Sequence, residues 1–171
     1  MTFDVERGNL SSPLVVPLMV SQNGGLICSI TYLAGSRYMQ SVAYGVSHAA
    51  IDRMAADMAV DLRPHGVAVV SLCPMGPVED RQFGGEEAES GIYIARCIAS
   101  LCTDPKLMER SGQVLGTRLL GSEYGVTDSD GSQPPIPDRL KLWHYQEWPA
   151  KRLRADNYSV SRATWGTASG P

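Results

Sequence analysis

Between Gly25 and Leu115 short, unbroken apolar runs alternate with longer segments in which apolar residues recur every three or four positions. The runs Leu26-Ile27-Cys28-Ser29-Ile30 and Val67-Ala68-Val69-Val70-Ser71-Leu72 are too brief for helices and predict strands. The second is continuous rather than alternating, as expected of a strand covered on both faces in a parallel sheet. Between them Ile51, Met54 or Ala55, Met58 and Leu62 recur at helical spacing, while Asp52, Arg53, Asp57 and Asp61 fill the other face. That spacing predicts a helix over 43–63, supported locally by the i,i+4 pair Arg53 and Asp57 and stopped by Pro64-His65-Gly66. Strand, helix and strand in succession make a βαβ unit.

The pattern continues with a Gly- and Pro-rich loop from Pro74 to Gly85. A helix is predicted over 86–102, with acidic residues in its first turns and an apolar stripe of Ile92, Ala95, Ile98 or Ala99, and Cys102. Ser111-Gly112-Gln113 then turns the chain into a last short strand over 112–115. Turn residues accumulate through Asp128-Ser129-Asp130-Gly131, followed by Pro134, Pro135 and Pro137. Upstream, residues 1–12 show no strong period, and Pro13–Val20 reads as the last turns of a helix that Pro17 weakens. The expected class is α/β. A partial domain covers 1–137, and an unpatterned tail covers 138–171.

Composition narrows the function classes. The chain has 171 residues, 43% of them apolar, enough for one packed α/β domain. A net charge of −3 without a basic stripe speaks against nucleic acid and anionic membranes as partners. The apolar run Leu14–Val20 falls far short of the roughly 20 residues that span a bilayer. Asp4, Glu6 and Arg7 occupy the place where a signal peptide would be apolar, so a cytoplasmic location is expected. Cys28, Cys73, Cys97 and Cys102 form no CxxC pair and no metal-ligand spacing, which predicts buried free thiols and no metal site.

Five segments carry more specific chemistry. Gly25-Leu-Ile-Cys-Ser-Ile-Thr-Tyr-Leu-Ala-Gly35 resembles the strand and serine loop of short-chain dehydrogenases/reductases. Ala43-Tyr-Gly-Val-Ser-His-Ala-Ala-Ile-Asp-Arg53 and its continuation to Val67 resemble that family's active-site helix, which bears Tyr-x-x-x-Lys. Val69-Val-Ser-Leu-Cys-Pro74, Ser111-Gly-Gln-Val-Leu115 and Tyr124-Gly-Val-Thr-Asp-Ser-Asp-Gly131 resemble the following strand and the end of the domain. The resemblance runs from about Pro13 to Pro137, in family order and near family spacing. It implies a truncated Rossmann-type parallel sheet with flanking helices. It also implies an NAD- or NADP-dependent oxidoreductase acting on a small-molecule carbonyl or alcohol substrate.

Residue by residue, the resemblance makes Tyr44 the proton donor and Thr31 the carbonyl-orienting hydroxyl, although the family serine falls on Tyr32 when the loop is read one position on. It assigns Tyr44, His48, Pro74, Gly76 and Val78 to the cofactor. Three departures imply impairment. The family's Thr-Gly-x-x-x-Gly-x-Gly turn, which holds the cofactor pyrophosphate, does not occur in this sequence. The family lysine is His48. A cation about 5 Å from a phenolate is worth roughly 3 kcal/mol at an effective dielectric of 20, whereas an ordinary histidine is mostly neutral at pH 7. In the loop after the second strand, Asp80 replaces the family threonine that meets the nicotinamide amide. The alternative to an impaired oxidoreductase is a pseudoenzyme or gene fragment that acts by association. The first strand should be an unpaired edge, and in the family the tyrosine helix forms part of the dimer interface, so a homo-oligomer is expected.

Overall fold

A computed structural model of the chain describes residues 5–79 and 85–136. Its helices and strands are α1 (Val5–Gln22), β1 (Gly25–Ile30), α2 (Val42–Leu62), β2 (Val67–Cys73), α3 (Gly91–Thr103), α4 (Leu107–Arg110), β3 (Val114–Gly116) and α5 (Thr117–Tyr124). The strands form one parallel sheet in the order β1-β2-β3, with Gly25 opposite Val67, Ile30 opposite Leu72 and Leu72 opposite Leu115. This is the expected α/β architecture. The tail from Asp138 lies outside the described residues.

Every residue of β2 is buried. Its odd positions Val67 and Val69 pack with Ala55, Ala59 and Leu62 of α2 and with Val16 of α1. Its even positions Val70 and Leu72 pack on the other face with Tyr93, Ile94, Cys97 and Leu101 of α3 and Leu120 of α5. The continuous apolar run follows from this two-sided cover. Among the described residues β1 is paired on one side only, and Ile30 remains 46% exposed.

Three local expectations need correction. α1 extends back to Val5, past Pro17. An interior proline costs a helix about 3 kcal/mol, and packing of Val16, Met19 and Val20 against α2 and the sheet offsets it. On α2 the buried face is Ser47, Asp52, Ala55, Ala56, Ala59 and Leu62. Small residues let the helix lie close to the sheet, which leaves the longer Ile51, Met54 and Met58 half-buried and takes Asp52 inward. α3 begins at Gly91, not at 86, because Ser90 caps it by accepting a hydrogen bond from Tyr93 N at 3.2 Å. That start sets the helix phase, so Tyr93, Ile94, Cys97 and Leu101 face the core. Ile92, Ala95 and Cys102 face outward. Cys102 is therefore an exposed thiol, whereas Cys73 and Cys97 are buried, and all four cysteines are free.

The turn between α2 and β2 shows why its glycine is needed. Gly66 has φ 69°, and a Cβ there would come within 2.7 Å of Asn23 O. Among the described residues no helix is long and apolar enough to cross a membrane.

Candidate active site

The carboxyl ends of β1 and β2 and the start of α2 meet at one corner of the sheet. Thr31 continues β1, donating its backbone N–H to Leu72 O at 2.9 Å. Tyr32 then opens a short 3-10 turn over Leu33–Gly35. Ser41 caps α2 by accepting from Tyr44 N at 3.2 Å, which fixes Tyr44 in the first turn and His48 one turn later on the same side. Gly45 allows this start to approach the preceding turn: a Cβ would lie 3.3 Å from Ala34 O.

These placements bring Thr31, Tyr32, Tyr44 and His48 together. The Tyr44 and His48 rings meet edge to face at 4.6 Å between centroids, and the Tyr32 ring lies 6.3 Å from that of His48. Thr31 Oγ1 is buried and sits 3.5 Å from both His48 Nδ1 and His48 O. Both contacts are at the outer limit for a hydrogen bond, so this hydroxyl is weakly held. Burial lowers the His48 imidazole below its ordinary value, keeping it neutral at pH 7. Burial first, and Tyr44 second, raise the Tyr32 phenol, with Arg37 pulling the other way. The cluster thus brings hydroxyl groups beside a neutral imidazole, which can donate and accept hydrogen bonds.

The loop after β2 joins this corner through an apolar cluster in which Leu33, Cys73 and Met75 pack with Tyr32. Pro74 and Gly76 are buried, whereas Val78 is exposed and forms a parallel bridge with Glu89. A Cβ on Gly76 would sit inside the contact radii of Arg118 Nη2 and Glu87 O, and 3.1 Å from Arg118 Cζ. Its open side is filled by the protein itself. Asp80 lies outside the described residues.

Sequence reasoning missed the polar centre beneath this loop. Glu89 and Arg118 are both fully buried and paired at 2.7 Å through Arg118 Nε and Glu89 Oε1. Glu89 Oε1 also accepts from Met75 N at 2.9 Å, and Thr117 Oγ1 donates to Glu89 Oε2. Arg118 donates through Nη2 to Glu87 O at 2.5 Å and through Nη1 to Pro135 O. Buried charges occur where they are paired, but nothing in the pattern ties two residues of such separate segments. Among the described residues no group of three or more His, Cys, Asp or Glu side chains could hold a metal ion.

A three-stranded parallel sheet flanked by helices is a Rossmann-type arrangement. Residues 10–83 match the short chain dehydrogenase family model. The chain is 37% identical to dehydrogenase/reductase SDR family member 1 of Mus musculus and of Homo sapiens, over 73% of this chain and 45% of each relative. The chain belongs to the short-chain dehydrogenase/reductase family, and it spans less than half the length of these curated relatives. Among solved structures it is similar in fold to acetoin dehydrogenase from Enterobacter cloacae, with a TM-score of 0.58 and 24% identity over 66% of this chain and 49% of that one. The acetoin dehydrogenase of Salmonella typhimurium gives 0.57 with 24% identity over 67% and 51%. An NADPH-bound carbonyl reductase from chicken fatty liver gives 0.53 with 18% identity over 67% and 51%.

The family generally binds NAD or NADP. The residues described here do not fit a complete dinucleotide site. His48 is kept neutral by burial, the space beside Gly76 is taken by Arg118 and Glu87, and Val78 is exposed.

Proposed function

We propose that this chain carries the substrate- and proton-handling corner of an NAD(P)-dependent oxidoreductase for small carbonyl or alcohol substrates, and that by itself it is impaired in that reaction. One observation carries the reading: Thr31, Tyr44 and His48, assigned from separate segments of sequence, converge at the strand ends. In this reading Tyr44 exchanges a proton with the substrate oxygen, and Thr31 orients that oxygen through its weakly held hydroxyl. His48 packs against the phenol ring without polarising it as lysine would.

Chemical-shift mapping with a small cyclic ketone tests the assignment. Shifts should concentrate on Thr31, Tyr32, Tyr44 and His48, and their absence from all four would refute it. Impairment is tested by titrating NADH and NADPH against the chain. Negligible binding is expected, and a dissociation constant below about 10 μM, roughly −7 kcal/mol, would overturn it.

A second reading, a non-enzymatic pseudoenzyme or gene fragment that works by association, draws on one observation. Among the described residues β1 is paired on one side only, and Leu14, Leu18, Ile30, Val42 and Val46 are exposed on it and on the neighbouring helices. The two readings differ in whether a ketone reaches Tyr44.

A further inference from the structure

We infer that Glu89 is a positioning residue that sets the backbone of the loop Pro74–Val78 beside the Thr31–Tyr44–His48 cluster, acting through Arg118 and Thr117. The inference rests on the reading of that cluster as the reaction site. Glu89 grips the loop twice. Its carboxylate accepts from Met75 N at 2.9 Å, and its own backbone N–H donates to Pro77 O at 2.9 Å while its carbonyl accepts from Glu79 N at 3.1 Å. Thr117 adds a second acceptor for Met75 N at 3.2 Å. Arg118 holds the carboxylate and occupies the space that Gly76 leaves open.

The energetics argue against a purely stabilising purpose. Removing a carboxylate and a guanidinium from water is costly, and a well-packed apolar pair in the same place is often as stable or more so. What an apolar pair cannot do is supply the charged acceptor for the Met75 N–H, which is then left to the longer contact with the Thr117 hydroxyl. Met75 packs with Cys73 and Leu33, and Tyr32 lies on that cluster. A shift of the loop therefore reaches the Tyr32 ring through direct packing, and the Tyr44 ring through His48, which lies between the two.

Amide hydrogen exchange and ring resonances of the whole chain test this without any nucleotide. Three variants are compared: Glu89→Gln, Thr117→Val, and the apolar pair Glu89→Met with Arg118→Met. The single variants should speed exchange at Met75 and Glu79 by about tenfold or more, the worth of one hydrogen bond to a charged acceptor. Amides of β1 and α2 should stay protected. The Tyr32 and Tyr44 ring signals should move with the loop. The apolar pair should recover the parental melting temperature yet leave the loop amides fast, and that split separates positioning from stability. Unchanged exchange at Met75 in the Thr117→Val and apolar-pair proteins would overturn the inference. So would a loosened loop with unmoved tyrosine signals. Failure of the ketone mapping on the parent chain counts against the reaction site itself and is read separately.

Discussion

Replacing Gly76 by alanine should destabilise the fold by about 2–5 kcal/mol. The added Cβ meets Arg118 Nη2 and Glu87 O inside contact distance, and Arg118 Cζ at 3.1 Å. Neither neighbour can yield cheaply: one is backbone, and the other is a fully buried guanidinium tied to Glu89, Glu87 and Pro135. Overpacking of this kind costs about 1–3 kcal/mol. Loss of the charged hydrogen bond from Arg118 to Glu87 O adds about 1.5–3 kcal/mol. Against this, alanine reduces the entropy of the unfolded chain, worth about 0.4–1 kcal/mol. The net is a large part of the 5–15 kcal/mol typical of a domain. Urea unfolding followed by the helical circular dichroism signal measures it. A midpoint corresponding to less than about 0.5 kcal/mol, the scatter of neutral surface substitutions, would refute the packing argument. In an Arg118→Met background the same substitution should cost at least about 1 kcal/mol less, since contacting residues couple. An undiminished cost would show that Arg118 is not the obstacle.

His48→Lys restores one cation but no phosphate cradle, so no turnover of a generic ketone or quinone with NADH or NADPH is expected; measurable turnover would show that the cofactor is held elsewhere. The Asp104 carboxyl is held down to about 2 by the Tyr124 hydroxyl and then by Arg110, against an ordinary value of 3.8. Its contribution is therefore complete above about pH 4 and is lost as pH falls towards 2. Asp104→Asn should flatten that part of a stability–pH profile, and an unchanged acid limb would contradict the assignment. The one-sided pairing of β1 among the described residues and the exposed Leu14, Leu18, Val42 and Val46 predict a dimer or larger species in light scattering at micromolar concentration. A monodisperse 18.5 kDa monomer with cooperative unfolding would reject it.

The strands and the long helix were legible because local patterns report burial directly. An unbroken apolar run such as Val67–Leu72 has few solutions other than a strand covered on both faces. The proximity of Thr31, Tyr44 and His48 follows from their spacing, since residues four apart share a helix face and the strand end before the helix is nearby in a βαβ unit. The full length of α1 was hidden by Pro17, whose local cost is outweighed only by packing against α2. The phase of α3 was hidden as well, because it depends on Ser90 acting as a cap, and that serine is held by the Asp128 carboxylate from a distant loop. That the open side of Gly76 holds Arg118 is likewise decided only by the fold. Periodicity encodes which face of an element is buried. It carries no information on which buried charge finds which partner, because that pairing between Glu89 and Arg118 exists only once β2, α3 and β3 have been laid side by side.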